Sequence, residues 1–174
     1  MSFTADEAWS HLPGLPSGEA RPASVHLAQF MPPEELRAAV SAKHLSRMAN
    51  WPRLIAIRDA VLKALETARQ GKFIRSALES RIILSAGGEL RSLLQEYFAF
   101  LPTLFIVSQV ELAAGVLEGV ESSAIPGLKV KVERARGAKC SRCWNYSEQV
   151  GRDSRYPGVC ERCSATLREI EADR

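Results

Sequence analysis

All four cysteines of this 174-residue chain lie in "KCSRCWNYSEQVGRDSRYPGVCERC", residues 139–163. They form two C-x-x-C pairs, Cys140/Cys143 and Cys160/Cys163, with 16 residues between the pairs. Two chemistries use paired thiols, disulfide bonding and soft-metal binding, and the cellular compartment decides between them. The N-terminal stretch "MSFTADEAWSHLPG" has an acidic pair, Asp6 and Glu7, and no basic-then-apolar signal pattern, so a cytoplasmic protein is expected. In the cytosol thiols stay reduced, and the spacing falls within the C-x2-C-x15–20-C-x2-C zinc pattern. Four thiolates complete a tetrahedral Zn²⁺ at about 2.3 Å and leave no open position. Cys140, Cys143, Cys160 and Cys163 are therefore expected to hold one structural Zn²⁺. A thioredoxin-like redox pair would need a single C-x-x-C in a βαβ unit, and the zinc deaminases need an H-x-E that this chain lacks.

With 46% apolar and 25% charged residues the chain is of ordinary folded composition, long enough for one sizeable domain or two to three small ones. Its formal charge of +3 permits a nucleic-acid partner without demanding one. No run approaches the roughly 18 apolar residues of a membrane span, so no membrane partner is expected.

Along the chain, Thr4 and Glu7 form a capping-box pattern ahead of Ala8 and Trp9, and Pro13-Gly14 closes that helical stretch. "PGLPSGEARPAS" reads as a loop. A long helical region follows Pro32-Pro33, with Pro52 marking a break or restart. From there Leu54, Ile57, Val61, Leu65 and Ala68 recur at helical spacing and predict one buried face. Arg53, Arg58, Lys63, Arg69 and Lys72 lie off that stripe, either as a solvated face or as an RNA-facing surface. "RIILS", "TLFIVSQVEL" and "LKVKVERA" read as three strands, with "ELRSLLQEYFAFL" as a helix between the first two and "SATLREIEADR" as a terminal helix. The fold class is α+β: a helical segment over residues 1–73, a small α+β domain over 74–135, and a zinc ribbon with terminal helix over 136–174. No glycine-rich phosphate loop and no G-x-S-x-G is present, so no catalytic residue is assigned.

Residues 128–163 hold nine Lys or Arg against four Asp or Glu, a local excess that favours RNA. A zinc–tetrathiolate cluster carries a formal charge of about −2. Arg142 and Arg162 hold the same place in the two knuckles, so they either neutralise it or reach a phosphate. Trp144 and Tyr146 either cap a ribbon that has little core or stack on an unpaired base.

"SFTADEAW", "VHLAQF", "LIAIRDAVLKALETARQGKFIRSALESRIIL", "LFIVSQVEL" and "AKCSRCWNYSEQVG…YPGVCERC" occur in the order seen at the C-terminal end of bacterial isoleucyl-tRNA synthetases. The chain resembles that region over nearly its whole length, most specifically in the K-C-x-R-C-W-x-Y knuckle and the R-D-x-V-x-K-A-L-E helix. The resemblance implies a remnant of a helical anticodon-binding domain, a small α+β domain and a zinc ribbon. It also implies the anticodon side of tRNA(Ile) and the catalytic domain of a parent synthetase as partners. The parent reaction would be ATP-dependent joining of isoleucine to its tRNA; the HIGH and KMSKS signatures of that chemistry are absent, and "HLPG" at 11–14 lacks the second histidine. Whether this chain is itself an enzyme is left to the parent. RNA contacts are expected from Trp144, Lys139, Arg142 and Arg155 on the ribbon, and from Arg58, Lys63, Arg69 and Lys72 on the long helix. Arg75 departs from the family pattern, where glycine is expected, and puts a charge beside the RNA path or changes the backbone at that corner. Met1 falls where a family chain would be mid-domain, so an artificial boundary or a split or truncated gene is expected there. Two alternatives stand beside this reading. One is a free-standing zinc-ribbon nucleic-acid-binding protein, related to the finger of formamidopyrimidine DNA glycosylases. The other is an interaction module that docks on a synthetase core.

Overall fold

A computed structural model describes residues 2–14, 20–38, 40–115, 117, 121–122 and 124–172. The chain divides into two compact units, Met1–Asn50 and Trp51–Arg174.

The first unit is helical: α1 (Ser2–Ser10), α2 (Pro33–Ala38) and α3 (Ala42–Met48), with a 3-10 turn at Val25–Leu27. Thr4 lies inside α1 and does not cap it, because the helix already begins at Ser2. The acid that organises this stretch is Asp6. Its Oδ1 accepts from Ser24 Oγ at 2.6 Å and from Val25 N–H at 3.0 Å, which pins the 3-10 turn against α1. Those hydrogen bonds, Ser24's first, hold the Asp6 carboxyl below its usual range. Trp9 donates through Nε1 to Pro22 O at 2.8 Å, and the Arg21 guanidinium lies 5.1 Å from the Trp9 ring centroid. None of the residues of this unit whose burial is described is buried, and Phe3 and Phe30 are almost fully exposed.

The second unit opens with α4 (Trp51–Gln70). Pro52 sits in its first turn, where a missing N–H costs nothing, so it starts this helix and does not interrupt one. The expected stripe is the buried face: Leu54, Ile57, Val61 and Leu65 are each at most 5% exposed, with Ala64 beside them and Ala68 partly buried. This face packs on a four-stranded sheet of order β2-β1-β4-β3, made of β1 (Ser80–Ser85), β2 (Gln109–Leu112), β3 (Glu121–Ser122) and β4 (Lys129–Arg134). β1 pairs parallel with β2 and antiparallel with β4. The parallel pair needs a crossover, which α5 (Gly88–Glu96) and α6 (Leu101–Phe105) supply. Alternation along the strands sends Ile82, Leu84 and Val130 into the core with Phe105, Leu94 and Leu101. On the opposite face, Arg81 is buried between Glu111, at 2.8 Å, and Glu133.

The strand read at "TLFIVSQVEL" is shorter than expected. Leu101, Leu104 and Phe105 recur at i, i+3 and i+4 and are all buried, and Pro102 suits a first helical turn, so these residues fold as α6. Ile106, left-handed at φ 58°, ends that helix, and only Gln109–Leu112 join the sheet. The domain boundary expected at residue 73 does not coincide with the division of the structure. Since α4 supplies one wall of the sheet's core, it belongs with the strands, and the units part between Asn50 and Trp51. At the corner after α4 the left-handed residue is Lys72, φ 55°. Arg75 has no positive φ, and its N–H donates to Glu79 Oε2 at 2.9 Å.

Candidate metal centre

The ribbon is built on a two-stranded hairpin, β5 (Ala138–Lys139) and β6 (Tyr146–Ser147), and on α7 (Glu161–Ala172). Gly137 enters the hairpin at φ +87°, and a Cβ there would lie 2.3 Å from the Ser147 backbone. Only glycine satisfies both conditions. The first knuckle is closed by Cys140 N–H to Asn145 O at 2.8 Å and by Trp144 N–H to Cys140 O at 3.0 Å. Trp144 takes a left-handed φ of 67° to complete the turn. Gly158 O accepts from Ser141 N–H and Ser141 Oγ, each at 2.9 Å, which fastens the loop before the second knuckle onto the first. Cys160 precedes α7 and Cys163 lies in its first turn; Ser164 N–H donates to Cys160 O at 2.9 Å.

These elements bring the four sulfurs within 4.8 Å of one another. No pair is bonded as a disulfide, and the Cys143 and Cys160 sulfurs are 3.6 Å apart. Tetrahedral zinc with bonds of about 2.3 Å needs sulfurs about 3.8 Å apart, so the donor set fits one Zn²⁺ with little adjustment. Cys140, Cys160 and Cys163 are buried and Cys143 half-buried, with Val159, Val150, Tyr156 and Leu167 packed around them. No open coordination position remains, so the ion's contribution is structural.

The surroundings favour negative sulfur. Burial opposes ionisation of Cys140, but backbone N–H groups outweigh it. Cys143 N–H at 3.5 Å and Cys160 N–H at 3.3 Å point at this sulfur, and with Arg142 N–H they bring its thiol down to about 6. Burial pushes Cys160 up to about 12, and the neighbouring sulfurs add to that. A divalent cation among the four sulfurs would supply the positive charge that thiolate ligation requires. Both knuckle arginines face the cluster: Arg142 Nη1 donates to Cys163 Sγ at 3.7 Å, and the Cys143 sulfur holds Arg162 charged above its usual range.

The expected RNA-facing residues fall into two groups. Trp144 does not cap the ribbon; it is 61% exposed, with Lys139 Nζ 5.4 Å from its ring centroid. Lys63 and Lys72 are also exposed. The others have intramolecular partners. Arg58 Nε donates to Leu104 O at 3.0 Å, Arg69 grips Glu66 through two 2.8 Å hydrogen bonds, and Arg155 pairs with Glu171. The sequence reading missed Ser108. Its hydroxyl donates to Leu78 O at 2.6 Å and accepts from Tyr146 N–H at 2.7 Å, tying the ribbon to the sheet. The Gln109 side chain does the same with the Arg136 backbone, donating and accepting at 2.9 Å. A lone serine and a lone glutamine give no signal before the fold is known.

Residues 137–165 match the family described as the zinc finger found in FPG and IleRS. The chain is 43% identical over 168 residues to an isoleucine–tRNA ligase of Syntrophotalea carbinolica, covering 96% of this chain and 17% of that protein. It is 40% identical to the enzymes of that name from Geobacter sulfurreducens and Desulforudis audaxviator, over 97% and 96% of this chain. The chain thus spans about 17% of the length of the relatives it matches. Among the described residues no helix is long and apolar enough to cross a membrane. The fit of the thiolate site and the matched finger agree with a chain that, over 96% of its length, is similar to the C-terminal region of the isoleucine–tRNA ligases.

Proposed function

We propose that this chain is the tRNA-binding C-terminal region of an isoleucine–tRNA ligase. In that role it holds the anticodon side of tRNA(Ile) so that the acceptor end reaches a distant catalytic domain in the cytoplasm. ATP-dependent aminoacylation belongs to that catalytic domain. The observation that carries the reading is the Trp144–Lys139 pair at the tip of the first knuckle. A large ring held out in solvent by a strained left-handed backbone contributes nothing to the ribbon's own core. An aromatic face beside a cation is what an unstacked base and its phosphate require. Zinc then serves recognition indirectly, by fixing the knuckle that presents the ring. Lys63 adds exposed positive charge from α4, and Lys72 adds it from the turn after that helix. Arg58, Arg69, Arg142 and Arg155 must exchange or share their present partners to reach RNA, so their individual contributions are smaller.

A free-standing nucleic-acid-binding protein related to the glycosylase finger explains only residues 137–165. Similarity to isoleucine–tRNA ligases over 96% of the chain favours the synthetase reading. The test is binding of a tRNA(Ile) transcript to the zinc-loaded chain, compared with a DNA duplex. Trp144→Ala is expected to weaken tRNA binding by about 1–3 kcal/mol, with a loss that changes little with salt. Equal affinity for the tRNA and the duplex, untouched by that substitution, would refute the proposal.

A further inference from the structure

The turn after α4, the segment leading into β1, the end of β4 and Tyr146 of β6 enclose a groove of about 350 Å³, lined by Lys72, Phe73, Arg75, Glu79, Arg134 and Tyr146 among others. Three cations thus share one concavity with a single carboxylate. Glu79 does not neutralise them: its Oε2 accepts the Arg75 backbone N–H at 2.9 Å, and among the described residues Lys72, Arg75 and Arg134 form no ion pair. Arg134 lies over Phe73, 5.5 Å from its ring centroid, which orients the guanidinium without cancelling its charge. Lys72 reaches the groove from a left-handed backbone (φ 55°), a conformation that is strained in a non-glycine residue. Uncancelled like charges in a concavity concentrate positive potential and select an anion.

The groove also adjoins the knuckle. Its wall residue Tyr146 is the register partner of Lys139, whose Nζ lies against Trp144. Trp144, Lys139, Tyr146 and the groove cations therefore follow one another as alternating aromatic and basic groups, the pattern that tracks a polynucleotide backbone.

We infer that Lys72, Arg75 and Arg134 form a phosphate-binding groove that receives the RNA backbone next to the nucleotide stacked at Trp144. The inference rests on the proposed function and deepens it by adding Arg75 and Arg134 to the surface. Each arginine contacts a phosphodiester oxygen, and sequence specificity is left to the knuckle.

The test is the salt dependence of tRNA(Ile) transcript binding to the zinc-loaded full chain, followed by fluorescence anisotropy. The double variant Arg75→Ala/Arg134→Ala is expected to lower the slope of log K against log salt by about 0.7–0.9 for each side chain removed. The variant Arg75→Lys/Arg134→Lys is expected to restore that slope, which a merely structural role would not predict. Far-UV circular dichroism confirms that the variants are folded; should Arg134→Ala disturb Phe73, Arg75→Ala alone gives the same reading at half the size. Glu79→Gln keeps an acceptor for the Arg75 N–H, removes the opposing charge and is expected to tighten binding. If the parent chain binds tRNA and Arg75→Ala leaves slope and affinity unchanged, the groove is wrong and the proposed function stands. If the parent chain binds no tRNA, both fall together.

Discussion

The sheet and the ribbon solve the same problem, holding a chain in one conformation, by different means. The sheet is closed by α4, α5 and α6 around Phe105, Leu54, Ile57, Ile82 and Leu84, all fully buried. The ribbon has no such set. Among the described residues its buried ones are three cysteines, Val159 and Ser164, so the metal cluster stands in for a core. The difference teaches where each region is vulnerable. A hydrophobic core fails by cavity formation, whereas a thiolate core fails by losing one ion.

Metal removal should separate the two most strongly. Structural zinc contributes on the order of 10–16 kcal/mol in small finger peptides, so chelation is expected to unfold the ribbon. The sheet and α4 should persist, with most helical circular dichroism retained and amide exchange protection lost only beyond about residue 136. Loss of protection throughout Trp51–Arg174 would show that the Ser108 and Gln109 links make one cooperative unit. The converse experiment is Phe105→Ala. A fully buried phenylalanine replaced by alanine costs about 3–5 kcal/mol, and the loss should appear in the denaturant midpoint of the sheet while zinc content stays at one per chain. Zinc loss in that variant would mean that the ribbon leans on the sheet for its own order.

Gly137→Ala is expected to be a smaller lesion confined to the ribbon. Its positive φ and the 2.3 Å approach to Ser147 impose strain of about 1–3 kcal/mol or somewhat more, read as weaker zinc retention against a competing chelator. Unchanged retention would show that the hairpin yields without moving the knuckle. The smallest effect concerns acid. The side-chain hydrogen bonds from Lys131 and Arg81 hold the Glu133 carboxyl below its ordinary value of 4.5. Its stabilising contribution is therefore present above that value and is lost as pH falls through the lower folded one. Glu133→Gln should flatten the sheet's stability profile below about pH 4.5 by roughly 1 kcal/mol or less, since the side chain is 28% exposed. A profile of unchanged steepness would assign acid sensitivity elsewhere.

Legibility followed the range of the interactions. The ribbon's ligands were readable because C-x-x-C spacing is a local constraint, and the α4 face because helical period exposes it within five turns. The strand at "RIILS" and the strand at "LKVKVERA" were readable from β-branched runs. "TLFIV" was not, because its β-branched content points to a strand while burial of Leu101, Leu104 and Phe105 demands a helix; packing overrode propensity. The membership of α4 was hidden for a related reason. Its apolar stripe declares that a partner exists without saying that the partner is the sheet.

The sequence by itself determined the metal, its four ligands, the buried stripe of α4 and the kinship with isoleucine–tRNA ligases, since each is written in spacing or in residue identity. Tertiary structure alone decided that Trp144 faces solvent and that Arg142 and Arg162 turn to the sulfurs. It also decided that Ser108 joins ribbon to sheet and that Arg75 and Arg134 meet at one groove. Those outcomes join residues tens of positions apart, and charge and aromaticity acquire direction only when folding sets which neighbours they meet.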